Sequence, residues 1–87
     1  MQSRIEKEIK MEKTEYRGLI AFLNVQESEK NNPNNQKQVI FYLATGKIHG
    51  KYLTYDSDEG YVKIKFEKID EFFIPFSSIL AWGNGQY

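Results

Sequence analysis

Hydrophobic and polar positions along this chain change their period once. From Ile5 through Ile9, Tyr16, Leu19 and Ile20 to Leu23, apolar residues recur at one-face helical spacing among charges. That spacing paints one face of a helix and predicts helix from about residue 4 to about 24, with Glu12 a gap and Gly18 a weak point. Ser3-Arg4-Ile5-Glu6 fits a capping box at its start. A strand over Tyr16–Val25 is the alternative, because Leu19–Leu23 is also a short apolar run. Residues 26–38 are polar apart from Pro33 and read as a flexible polar loop.

Beyond residue 38 the period falls to two. Val39–Ala44 and Lys47–Tyr55 read as strands joined at Gly46, and Asp56–Gly60 as a turn. Tyr61–Ile69 alternates apolar with charged, as a strand with one wet face does. Asp70-Glu71 turns into a fourth strand, Phe72–Ile74, which Pro75 ends. Ile79–Trp82 is the fifth, and Gly83–Tyr87 trails off. Gly50 stands inside the second strand, where a glycine marks a bend or a close approach of another backbone. The predicted fold is mainly β: a small, strongly bent, five-stranded antiparallel barrel over residues 39–82 with an N-terminal α-helix. Ile40, Phe41, Leu43, Ile48, Leu53, Val62, Ile64, Phe66, Phe73, Ile79 and Leu80 are the expected core.

Composition narrows this picture. Eighty-seven residues make one domain with a marginal core, and the absence of Cys removes both disulfides and thiolate metal sites. Twelve basic residues balance twelve acidic ones, and residues 1–30 and 31–87 are each balanced as well. No basic tail exists to bind duplex nucleic acid or an anionic membrane without specificity. No run is long enough to span a bilayer, and the charged N-terminus lacks the apolar stretch of a secretory signal, so a cytoplasmic protein is expected.

Catalytic chemistry finds no purchase. His49 is the sole histidine, and no serine sits at a strained strand-to-helix turn. Asp56, Asp58 and Glu59 beside Gly60 resemble a calcium loop, but the glycine falls a place early and the flanks read as strands, so an Asx-bonded hairpin turn is expected. We expect no enzyme, no catalytic residues, no cofactor and no metal.

Leu43, Gly46, Gly50, Leu53 and Asp56 form an apolar strand, glycine, glycine and acid series in which five residues separate Gly50 from Asp56. This series resembles the first motif of the Sm/LSm superfamily, and the N-terminal helix is nearer the bacterial Hfq branch. The likeness covers residues 39–82 well and the helix loosely. Three residues instead of four separate Gly46 from Gly50, and Ile74-Pro75-Phe76 stands where Hfq carries Tyr-Lys-His. The resemblance implies a homo-oligomeric ring in which the fourth strand of one subunit pairs with the fifth of the next. The continuous apolar runs Phe72-Phe73-Ile74 and Ile79-Leu80-Ala81-Trp82 fit such an interface, with Phe72, Phe73, Ile74, Leu80 and Trp82 its expected residues, the alternative being cover by the helix of the same chain. The resemblance also implies single-stranded RNA near the pore, with bases on Tyr55 or Tyr61 and phosphates at Lys63 or Lys51. These tyrosines equally suit cross-strand packing. A second functional reading is an adaptor of the same fold that has lost the nucleotide site and binds a protein partner through its asparagine-rich loop.

Overall fold

A computed structural model describes residues 16–35 and 37–86. Among the described residues one helix, α1 (Arg17–Glu29), precedes five strands: β1 (Lys37–Leu43), β2 (Gly46–Asp56), β3 (Tyr61–Phe66), β4 (Ile69–Pro75) and β5 (Ala81–Gln86). A short 3-10 turn, Phe76–Ser78, links β4 to β5. The strands form one antiparallel sheet in the order β4-β3-β2-β1-β5. β1 to β4 make a meander, and β5 returns to the far side of β1. The protein is thus mainly β with a helix ahead of the sheet. Among the described residues β4 and β5 do not pair, so the sheet is bent but not closed.

The bend has an identifiable origin in β2. Its first part, Gly46–Gly50, pairs with β1, and its second part, from Lys51, pairs with β3. At the exchange point a Cβ on Gly50 would lie 2.2 Å from the Lys65 carbonyl oxygen, a contact only glycine permits. Register shifts between Tyr52 and Thr54 on β2, and between Ile64 and Phe66 on β3, add local twist.

The described part of the helical expectation holds, and the strand alternative for Tyr16–Val25 does not. Leu19, Leu23 and Gln26 sit on the buried face of α1, with Tyr16 and Ile20 partly buried beside them. The helix continues to Glu29 instead of stopping near residue 24, because Gln26 finds a partner in β5. Its side-chain amide exchanges two hydrogen bonds with that of Asn84, at 3.2 and 3.0 Å. β1 also takes up Lys37 and Gln38, so the polar connector is shorter than residues 26–38 at both ends. Asn32 and Asn35 side chains close its turns by accepting the backbone N–H groups of Asn34 and Lys37. The expected helix before Tyr16, with its capping box, lies outside the described residues.

Three boundaries move at the other end. The β3–β4 turn is Glu67-Lys68, directly after Phe66, instead of Asp70-Glu71. β4 begins at Ile69, and β5 absorbs the glycine-rich Gly83–Gln86 segment, because β1 offers it a full ladder of partners. The core also differs in part. Phe41, Ile48, Val62, Ile64 and Ile79 are buried as expected, together with Leu19, Leu23, Val39, Tyr52, Ile74 and Phe76. Phe73 (50% exposed) and Leu80 (68%) are not core. Register explains Phe73: Ile74 pairs with the buried Val62, so its neighbour must point to the opposite face. No helix among the described residues is long and apolar enough to cross a membrane.

Candidate functional site

Strand alternation on β3 sorts its side chains. Val62 and Ile64 enter the core, which leaves Tyr61, Lys63 and Lys65 on the other, outer face. Cross-strand pairing adds neighbours to each. Phe73 of β4 is opposite Lys63, and Lys51 of β2 is opposite Lys65. The rings of Tyr61 and Phe73 have centroids 5.1 Å apart and planes inclined at 60°. Lys63 Nζ stands 5.0 Å from the Phe73 centroid and 3.4 Å from a Glu71 carboxylate oxygen. The result is a half-exposed aromatic platform edged by lysines, on a chain whose total charge is zero.

Tyr55 is not part of it. The register shift after Tyr52 leaves Tyr55 opposite Val62, on the buried face, where its hydroxyl donates to the Asn24 side chain of α1. Tyr52 behaves alike: its hydroxyl donates to Glu27 Oε1 at 2.6 Å. Lys30 completes the clasp, 2.6 Å from Glu27 and donating to the Leu53 carbonyl at 3.3 Å. Lys30 first and the Tyr52 hydroxyl second hold the Glu27 carboxyl below its ordinary value. Burial first, then the Glu27 carboxylate, pushes the Tyr52 phenol well up. These two tyrosines fasten the helix to β2.

Of the four residues expected at nucleotides, Tyr61, Lys63 and Lys51 share the outer face and Tyr55 lies across the sheet. Lys65 and Phe73 belong with the first three. Period-two alternation from Tyr61 already groups Lys65 with Lys63, whereas Phe73 needs the β3–β4 register, which the sequence does not carry. The five residues expected at an oligomer interface are also divided. Phe73, Leu80 and Trp82 expose apolar surface on or beside the outermost strands. Phe72 packs on Phe66, ring centroids 5.7 Å apart, and Ile74 is 2% exposed in the core of its own chain, so its side chain has nothing to offer a neighbour.

Asp56 heads the β2–β3 turn as an Asx cap, its Oδ1 accepting the N–H groups of Asp58 at 2.9 Å and Glu59 at 3.0 Å. Among the described residues no three His, Asp or Glu side chains gather as metal ligands would. No family model, curated protein or solved structure matches this chain.

Proposed function

We propose that this protein binds single-stranded RNA on the outer face of β2, β3 and β4, as a subunit of an Sm-like ring in the cytoplasm. The observation that carries the reading is the Tyr61–Phe73 pair with Lys63, Lys65 and Lys51 on the same face. Unpaired bases stack on exposed aromatic rings whatever their identity, at roughly 1–3 kcal/mol per base, and lysines along the groove follow the phosphates. Duplex is a poor fit, because a net charge of zero leaves little long-range attraction for it. The ring rests on the resemblance to Sm proteins. It is supported by β4 and β5 being the two outermost strands of an open sheet, with Phe73, Leu80 and Trp82 exposed. Head-to-tail addition of β5 to a neighbour's β4 closes such a sheet by rotation.

Fluorescence-anisotropy titrations with short oligo-U and oligo-A at two salt concentrations test the reading. Saturable binding that weakens with salt and with Tyr61→Ala is expected. No binding at micromolar protein removes it. Light scattering coupled to gel filtration tests the ring separately, and a monomer mass refutes it.

Exposed apolar side chains favour one other reading, the adaptor. Val25 on α1 and Leu80 before β5 are each more than half exposed. An oligomer that ignores RNA in the same titrations is what the adaptor reading expects.

A further inference from the structure

Where the β1–β2 ladder gives way to the β2–β3 ladder, residues of β1, β2 and β3 around Gly50 line a cleft of about 380 Å³. That volume falls within the range usual for small-molecule sites. Gln38, His49 and Lys51 form one wall, and Lys65, Phe66 and Glu67 the other.

The chemistry of the two walls is uneven. Lys51 and Lys65 are direct cross-strand partners, and both are exposed. Like charges directly opposite one another weaken strand pairing. Among the described residues neither has an ion-pair partner, whereas Lys30 and Lys63 each do. Two ammonium groups held side by side can donate to separate oxygens of one phosphate. The other groups accept. The Gln38 amide oxygen lies 3.0 Å from His49 Nδ1, and the tautomer that donates to it from Nδ1 has Nε2 as an acceptor. Glu67 brings a carboxylate, and Phe66 an apolar surface. Inorganic phosphate would satisfy the lysines and be repelled by Glu67. A ligand with one phosphate, several N–H or O–H donors and a flat apolar part satisfies both walls.

We propose that this cleft binds one nucleotide unit, with its phosphate between Lys51 and Lys65, its sugar or base donors toward Glu67 and His49, and its base over the edge of the cleft that Phe66 lines. The unit is either a free mononucleotide or one residue of a strand lying on the outer face. Only in the second case does the inference rest on the strand-binding reading above.

The test is a titration of the full-length, nitrogen-15-labelled protein with uridine monophosphate, adenosine monophosphate, uridine and inorganic phosphate, following backbone amide shifts. Saturable shifts centred on Gly50, Lys51 and Glu67 are expected with the monophosphates. Uridine and phosphate alone should bind about tenfold more weakly. Lys51→Ala and Lys65→Ala should each weaken the monophosphates about three- to tenfold, since both ammonium groups are exposed. Glu67→Gln should weaken the nucleotides without weakening inorganic phosphate. Three results overturn the inference: no saturable shift up to about 10 mM ligand, shifts that survive in the Lys51→Ala/Lys65→Ala double variant, or equal affinity for phosphate and nucleotide. The strand reading fails or stands independently. Tyr61→Ala and Phe73→Ala should each weaken oligonucleotide binding about tenfold and leave the monophosphate shifts in place. Monophosphate binding without any oligonucleotide binding identifies the free nucleotide as the occupant.

Discussion

Tyr61 and Phe73 lie on adjacent strands with ring centroids 5.1 Å apart, and half of Phe73 remains exposed to solvent. A phenylalanine in that position contributes little to the core, so its loss separates binding from folding. Phe73→Ala should weaken oligo-U binding by about tenfold, the equivalent of one lost stack, while changing stability by about 1 kcal/mol or less. Anisotropy and a urea melt on the same variant check both halves.

Gly50 carries the bend, and its variant should be costly. A methyl group there meets backbone, the Lys65 carbonyl oxygen, which cannot rotate away. Gly50→Ala should destabilise the protein by about 3 kcal/mol or prevent folding, whereas Gly83→Ala, with open space around it, should stay within about 1 kcal/mol of the parent. Chemical denaturation of the two variants side by side decides the point.

The clasp between Glu27 and Tyr52 makes stability depend on pH at both ends of the scale. The Glu27 carboxyl is held below its usual 4.5, so the folded state takes up that proton less readily than the unfolded chain. Its contribution is complete above that pH and disappears as pH falls through the lower folded value. The Tyr52 phenol is raised above its usual 10.0, so its contribution is complete below that pH and declines as pH climbs beyond it. Thermal melts should show a shallower acid decline in Glu27→Gln and a shallower alkaline decline in Tyr52→Phe. Parallel slopes for parent and variants would remove the clasp from the account.

Glu67 has a φ of 53°, in the left-handed region where a side chain is strained. Glu67→Gly should therefore raise stability by about 1 kcal/mol, provided the turn keeps its shape. A higher denaturation midpoint with an unchanged slope is the expected observation.

Much of the architecture was legible before any coordinates. The period-two alternation at Tyr61–Phe66 identified both a strand and its wet face, because side chains on a strand can only alternate. Glycine at position 50 announced a close backbone approach for the same elementary reason, the missing Cβ. Leu19 and Leu23 defined the buried stripe of the helix. The continuous apolar run Phe72-Phe73-Ile74 was different. With no polar residue to set its phase, nothing local distinguished the inward Ile74 from the outward Phe73 until pairing with Val62 and Lys63 did so.

The sequence alone therefore determined the kinds of element, their order and the face that each well-alternating strand turns to water, since these follow from local geometry and side-chain chemistry. Tertiary structure decided what depends on distant partners. Pairing with β1 made a strand of Gly83–Gln86, and the Asn84 amide let α1 run past Gln26. A one-residue register shift in β2 put Tyr55 on the opposite face from Tyr61. Each of these outcomes turns on hydrogen bonds between residues far apart in the chain, which no local pattern encodes.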